Sequence, residues 1–374
     1  MVNIKRFLIA AAGSAGHINP AIATADALRK LLPDCDILIV GAGRAMEKKL
    51  VPQAGYELRN IEMQGLSRGF TPKKIAYNIT SARLLATATR RAEELIKEYK
   101  PDAAIGLGGY ICYPVLRTAA KRGIPTVMHE SNAEPGLTMK MLSGTVARVF
   151  TAYPNTESLY KMPERVTAIG TPVRSGFADY ARARARLELG IPADESVVVS
   201  FWGSLGASGM SERMKAFITR NMRESAFRHI HAVGSENGAE ALKKAVSGDL
   251  PLPQTIEIRP YIEDMPRVMA AADLVLCRAG GSTLAELSAL GRAAVLVPSP
   301  YVSNNEQAHN AAAVETAGGA VVANENEATG ESLYETVKAL LATPRMLEKM
   351  ENAQRSLGAA DAAERLAAEI IKLL

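Results

Sequence analysis

Cysteine is scarce: three residues (Cys35, Cys112, Cys277) are spread along 374, with no CxxC pair among them. That spacing offers neither a disulfide framework nor a zinc knuckle, and predicts reduced thiols. Aromatic side chains make up only 5% of the chain. With so few stacking platforms and no recognised helix or sheet motif beside the basic residues, no nucleic-acid partner is expected. Long apolar runs are also missing, none approaching the roughly 20 residues that a membrane-spanning helix needs. The opening MVNIKRFLIAAAG runs from a short apolar stretch into a glycine turn with no convincing cleavage site, so a leader is not expected either.

What is present is an ordinary soluble composition, 48% hydrophobic and 22% charged, at a length that suits two domains. The net charge of +5 is unevenly placed. Residues 1–165 carry 23 Lys and Arg against 14 Asp and Glu, whereas residues 166–374 carry 21 against 25. A basic first half suggests an anionic partner there, such as a phosphorylated substrate or an anionic membrane surface, although a solvated basic face has the same composition.

Apolar, β-branched runs of strand length alternate with stretches of helical period: RFLIAAA, DILIVG, AAIGLGG, TVMHE and VFTAY first, then SVVVSFWG, HIHAVG, TIEIRPY, ADLVLC and AVLVPS. Such alternation is the mark of parallel sheets covered by helices on both faces. Two sets in series predict an α/β protein of two doubly wound, Rossmann-like domains. The joint is expected in IGTPVRSGF, residues 169–177, and ligands at the carboxyl ends of the strands, with a cleft between the domains as the default site.

The stretch AAAGSAGHINPA (10–21) has GxxG rather than GxGxxG, and no acidic residue ends the second strand, where the chain reads IVGAGR. A ribose-clamping acid of the dinucleotide type is therefore absent, and no Gly-Lys-Ser/Thr follows to make a P-loop. What remains is a strand, a small-residue turn and a helix, read here as beginning with Asn19 as N-cap and Pro20 as its first residue. His17 stands beside that opening. Similar turns recur at GLGGY (106–110), WGSLGA (202–207) and RAGGST (278–283), each after an expected strand. In RAGGSTLAEL, Thr283 with Glu286 fits a capping box. The same residues also fit a diphosphate on the helix N-terminus with the Glu286 carboxylate on ribose hydroxyls. On these residues alone both readings stand.

In order along nearly the whole chain, GSAGHINPA, GLGGY, HESNAEPGLTMK, GTPVR, GSLGA, PYIEDMPRVMAAADLVLCRAGGSTLAEL and NNEQAHNA make it resemble the bacterial MurG glycosyltransferases. Members of that family add N-acetylglucosamine to lipid I in peptidoglycan synthesis. The resemblance implies the GT-B fold, two Rossmann-like domains facing across a cleft. Residues 1–165 would bind the acceptor and face the membrane, residues 166–345 would bind UDP-N-acetylglucosamine, and 346–374 would form C-terminal helices with a return toward the N-terminal domain as one placement. By motif match Glu286 would bind the ribose. Gly281, Ser282 and Thr283, followed by Leu284 and Ala285, would cradle the diphosphate. Ile262 would meet the uracil through its backbone, Ser204 would contact phosphate, and Gln307 and Asn310 would hold the sugar hydroxyls. Arg174 would approach the donor from the joint and Asn132 from the facing domain. Ser14, Ala15 and Gly16, with His17, would form the wall where donor and acceptor meet. Ser14 and Ala15 depart from the family's usual Thr and Gly, and Ala15 is expected to narrow the approach of a phosphate.

The chemistry implied is an inverting transfer in which UDP leaves and the acceptor hydroxyl loses a proton. His17 is the first candidate base, since an imidazole titrates near neutral pH. Glu130, at the end of the HESNA strand, is the second. No cofactor is called for. A metal site is not expected, because Asp34-Cys35-Asp36 precedes its strand and His229 and His231 share a strand face without a third ligand. The segment GLSRGFTPKKIAYNITSARLLATATRR sets Phe70, Ile75, Ile79 and Leu85 among Arg68, Lys73, Lys74, Arg83, Arg90 and Arg91. That mixture suits interfacial contact with anionic lipid and a peripheral place on the cytoplasmic face of the cell membrane, although an amphipathic core helix has the same pattern. Other cell-wall synthesis proteins are candidate partners. The rival functions are transfer to a different lipid acceptor, epimerisation of UDP-N-acetylglucosamine, and binding of the nucleotide sugar without catalysis.

Overall fold

The structure, a computed structural model, describes residues 4–65, 71–177, 180–203, 208–358 and 360–374, with the side chains of Ser208 and Ser303 left out. The chain divides into two compact units, Met1–Arg174 with Asp361–Leu374, and Ser175–Ala360.

In the first unit β1 (Arg6–Ala10), α1 (Ala15–Leu31), β2 (Asp36–Gly41), α2 (Ala45–Gln53) and β3 (Glu57–Asn60) are followed by α3 (Pro72–Tyr99) and β4 (Ala103–Gly106). Then come α4 (Cys112–Lys121), β5 (Thr126–Glu130), α5 (Leu137–Leu142), β6 (Arg148–Thr151) and β7 (Val166–Ala168). The strands form one parallel sheet in the order β3-β2-β1-β4-β5-β6-β7. Alternate side chains of β1 enter two separate cores. Phe7 and Ile9 join Ile39 and Ile105 on one face, while Leu8 and Ala10 join Val40 and Leu116 on the other. Burial on both faces is why the strand reads as an unbroken apolar run rather than an alternating one. Each large apolar side chain so enclosed contributes about 1.5–3 kcal/mol relative to exposure.

The second unit contains α6 (Arg182–Leu189), β8 (Val197–Phe201), α7 (Ser208–Glu224), β9 (Arg228–Ala232), α8 (Glu236–Ser247), β10 (Ile256–Arg259) and α9 (Met265–Ala271). It continues with β11 (Leu274–Cys277), α10 (Gly281–Leu290), β12 (Ala293–Leu296), α11 (Glu306–Thr316), β13 (Ala320–Val322), α12 (Gly330–Leu341) and α13 (Pro344–Leu357). Its parallel sheet runs β10-β9-β8-β11-β12-β13. The last helix, α14 (Ala362–Ile371), belongs to the first unit. There Ala362, Ala363, Leu366, Ala367 and Ile370 are buried, a stripe at helical spacing that closes the face beside α1.

The division at 174/175 falls inside the expected joint, residues 169–177, and nine residues later than the expected domain limit at 165/166. The cause is β7, which pairs with β6 and so keeps Val166–Ala168 in the first sheet. Residues 346–374 do not act as one block either: α13 packs against α10 and β12 in the second unit, and α14 against α1 in the first. In both sheets the order reverses beside the first strand, between β1 and β4 and between β8 and β11. The turns that follow those strands are where a doubly wound sheet opens for a ligand.

Candidate functional site

At the first reversal the turn after β1 meets the turn after β4. Helix α1 begins at Ala15 with Ser14 as N-cap, so the expected start at Asn19–Pro20 is wrong and Pro20 lies inside the helix. The His17 amide already bonds to the Ser14 carbonyl at 3.0 Å, and the Ile18 amide to the same oxygen at 3.2 Å. The helix nucleates on the small residues, and the proline is absorbed near the N-terminal turns, where it forfeits only one hydrogen bond. Ala15 is therefore a helical residue, and the backbone makes no demand for glycine there.

The His17 ring is held by its neighbours. Nδ1 lies 2.8 Å from the Ala12 carbonyl oxygen. A carbonyl can only accept, so in the neutral ring the proton is on Nδ1 and the lone pair on Nε2, the tautomer that a base requires. The ring lies against Gly108: a Cβ on that residue would come within 2.2 Å of His17 Cδ2, and φ there is +115°. Only glycine satisfies both the contact and the backbone angle.

Glu130, the second candidate base, faces its own loop. Its Oε1 accepts from the Asn132 amide at 3.0 Å and from Asn132 Nδ2 at 2.9 Å, and Oε2 accepts from the Gly136 amide at 3.1 Å. The carboxyl is buried, which pushes its pKa up while these hydrogen bonds pull it down. Both oxygens accept from loop donors, so Glu130 organises the 131–136 turn and draws Asn132 Nδ2 toward it. Beside it, His129 donates from Nε2 to the Gly170 carbonyl at 2.8 Å, tying the end of β5 to the segment that carries half-buried Arg174, the last residue of the first unit. Burial lowers the His129 pKa to about 4, so it is neutral.

Helix α3 begins with Thr71, whose side chain accepts from the Lys74 amide, and with Pro72 at its first position. Ile75, Tyr77 and Ile79 on its first turns are 48%, 43% and 52% exposed. These turns are not core, which removes the buried amphipathic alternative for them. Arg68 and Phe70 lie outside the described residues. No helix among the described residues is long and apolar enough to cross a membrane.

At the second reversal α10 begins at Gly281 with Gly280 as N-cap. Thr283 is the third helical residue, and the expected capping box with Glu286 is not formed. Gly281, Ser282 and Thr283 instead make up the first helical turn, whose amides have no intrahelical acceptor. Glu286 lies near enough to Cys277 to raise that buried thiol's pKa, although burial is the larger cause. Leu284 and Ile262 have buried side chains, 2% and 3% exposed, so any contact they make to a ligand is through backbone. Ala285 and Gln307 are half-buried. Gln307 accepts the Ser299 amide through Oε1 at 2.8 Å, which turns Nε2 away from that contact. Asn310 is fully buried and donates from Nδ2 to the Ala279 carbonyl at 3.2 Å. It holds the 278–281 turn through that bond. Ser204 lies outside the described residues.

Several contributors carry no signal in the sequence. Arg278, 8% exposed, bonds to the Val297 carbonyl at 3.0 Å and to Glu325 Oε2 at 2.6 Å, a buried ion pair under the turn of which Arg278 is part. Glu47, with no exposed surface, reaches back to the first turn. In the core of the second unit Ser200 Oγ bridges His229 Nε2 and His231 Nδ1, 2.7 Å from each. Among the described residues no group of three or more His, Cys, Asp or Glu is placed to hold a metal ion.

Residues 7–151 match the glycosyltransferase family 28 N-terminal domain and residues 197–366 the glycosyltransferase family 28 C-terminal domain. A protein of Acetivibrio thermocellus named UDP-N-acetylglucosamine--N-acetylmuramyl-(pentapeptide) pyrophosphoryl-undecaprenol N-acetylglucosamine transferase is 41% identical over 98% of this chain and 97% of its own. A Thermoanaerobacter protein of the same name is 37% identical over 96% and 98%. The crystal structure of Acinetobacter baumannii MurG superposes with a TM-score of 0.76 at 27% identity, covering 99% of both chains. The two sheets, the site turns and these likenesses lead to one assignment: the chain belongs to the MurG family of GT-B glycosyltransferases.

Proposed function

We propose that this chain transfers N-acetylglucosamine from UDP-N-acetylglucosamine to lipid I with inversion at the anomeric carbon, giving lipid II for peptidoglycan synthesis. The observation that carries the reading is agreement with a transferase of that name over 98% of the chain at 41% identity. The second unit holds the donor. As the bond from the anomeric carbon to the diphosphate oxygen breaks, negative charge grows on UDP, and stabilising it is the main catalytic task. The first-turn amides Gly281, Ser282 and Thr283 suit that role, with Arg174 and Ser204 as further contributors. Glu286 binds the ribose hydroxyls, the Ile262 backbone the uracil, and Gln307 a sugar hydroxyl through Nε2. In the first unit the turn Ser14–Gly16 holds the acceptor, and His17 Nε2 takes the proton from its attacking hydroxyl.

Initial rates with a lipid I analogue and with a diacylglycerol acceptor test the assignment. A kcat/KM at least 100-fold higher for lipid I is expected, whereas equal or reversed values would reassign the acceptor. For the donor site, Glu286→Ala should raise the KM for UDP-N-acetylglucosamine about 10–100-fold with kcat little changed, since hydrogen bonds to a charged group contribute about 1.5–3 kcal/mol. An unchanged KM would remove Glu286 from the ribose.

The enzyme works peripherally on the cytoplasmic face of the membrane, with Ile75 and Ile79 entering the interface among Lys73, Lys74 and Arg83. Exposed apolar side chains on a basic helix are what such contact requires. Replacing both isoleucines by glutamate should abolish co-sedimentation with vesicles rich in phosphatidylglycerol while leaving turnover of a short-chain, water-soluble acceptor within twofold. Vesicle binding equal to wild type would place the contact elsewhere.

A further inference from the structure

The amides of two neighbouring βα turns converge on one buried carboxylate. Glu47, in the first turn of α2, accepts from the Gly13 amide at 2.8 Å through Oε1, and from the Gly43 and Arg44 amides at 2.7 and 3.0 Å through Oε2. It has no exposed surface. In a doubly wound sheet the turn after the first strand is where a phosphate commonly binds. Here the protein's own anion takes the Gly13 amide, so that amide is not available to a ligand.

The Gly13 N–H and the Ala12 C=O are the two polar ends of a single peptide unit, which is planar and stiff. Glu47 accepts from one end at 2.8 Å, and His17 Nδ1 donates to the other, also at 2.8 Å. Carboxylate, peptide and imidazole thus form a chain of hydrogen bonds. A carboxylate on the N–H polarises the peptide and makes its C=O a stronger acceptor, and such chains strengthen one another at low dielectric. A base held in its working tautomer by a third group is a common catalytic arrangement.

We infer that Glu47 is a positioning residue for the transfer reaction, orienting and polarising His17 through the Ala12–Gly13 peptide. The inference rests on the reading of His17 as the base. Loss of the link should act on the rate of the chemical step and leave the donor site alone.

The test is a double-mutant cycle on the full chain, with kcat measured against a lipid I analogue and UDP affinity measured separately. Glu47→Gln keeps one acceptor oxygen but sets an NH2 group against the donors, and should lower kcat about 10–100-fold, the scale of a small misplacement of a reacting group. UDP affinity should stay within twofold. Gly41→Ala is the second variant, because its Cβ would come within 2.5 Å of Glu47 Oε2 and displace the carboxylate without removing its charge. It should reproduce the loss in kcat. Adding Glu47→Gln to His17→Ala should cost less than a further threefold, because residues acting as one unit do not add. Turnover within twofold of wild type in both Glu47→Gln and Gly41→Ala overturns the inference, as does a full multiplicative loss in the double variant. A fall in UDP affinity parallel to kcat overturns it too, by showing general damage. A His17→Ala variant of normal turnover refutes the base itself and the inference with it, and is read from the single variant alone.

Discussion

His17→Ala should lower turnover by about 100- to 10,000-fold, the usual contribution of a positioned general base, and leave the KM for UDP-N-acetylglucosamine within about threefold. The asymmetry follows from where the residue sits. His17 lies in the first turn of α1, in the unit Met1–Arg174, whereas the proposed donor contacts, Arg174 apart, come from α10 and its neighbours in the other unit. A loss in kcat and kcat/KM together is the signature of an interaction made in the transition state only. The Ala12 carbonyl already fixes the tautomer, and the glycine at 108 leaves room for the ring and nothing more. Gly108→Ala, which drives a methyl group into that ring, should approach the same loss. Turnover within a few-fold of wild type in His17→Ala would strike the base from the mechanism.

The second large effect is on stability. His229 and His231 are buried at 0% and 2% exposure. Burial lowers the His231 pKa to about 4 and that of His229 well below the usual value, with repulsion from His231 adding to the latter. The unfolded chain takes up these protons near pH 6.5, the folded one only at much lower pH. Between those limits the unfolded state holds more protons, so stability rises with pH and is lost as pH falls from about 6.5 toward 4. At pH 5 the loss is about 2 kcal/mol for His231, and His229 adds to it in the same direction. The lowered carboxyl pKa of Glu224 acts with the same sign but below this window. Trp202 is the only tryptophan, lies in the second unit and is 5% exposed, so its fluorescence reports unfolding where the pair sits. Urea midpoints at pH 7.5 and 5.0 should differ by about 1 M or more, taking a slope near 2 kcal/mol per molar. Replacing both histidines by glutamine should flatten that dependence. A wild-type midpoint that does not move would mean that the imidazoles are protonated within the fold.

Ten of the strands were legible, nine of them because they are largely buried on both faces, where a run such as VVVSF or LVLC admits few other structures; β10, an edge strand with Glu257 and Arg259 half-buried, was marked by its β-branched Thr255, Ile256 and Ile258. Strands β3, β7 and β13 were not. They are short edge strands, ELRN, VTA and AVV, and β3 and β7 have no fully buried residue, so no apolar run marks them. Missing β7 is what moved the expected domain boundary. The helix starts failed for a related reason. Asn19–Pro20 and Thr283–Glu286 each fit a local capping rule, but the small residues before them already let the chain enter the helix. The turns GSAGH, GLGGY and RAGGST were placed correctly at strand ends, because glycine punctuates the chain locally. The residues that hold those turns were not visible. Glu47 is 34 residues from the amide of Gly13, and Glu325 is 47 from Arg278, separations at which neither periodicity nor motif spacing carries information. The bond from Asn310 to the Ala279 carbonyl was not visible either, since a polar residue in a polar segment suggests a ligand and only the fold shows its burial.

Transfer itself is read by incubating the purified protein with UDP-N-acetylglucosamine labelled with carbon-13 at the anomeric carbon, with and without a lipid I analogue, and following that carbon by NMR. A new β-linked disaccharide signal should appear only when the acceptor is present, together with release of UDP. A signal of an epimerised sugar, or release of free sugar at the same rate without acceptor, would contradict that transfer.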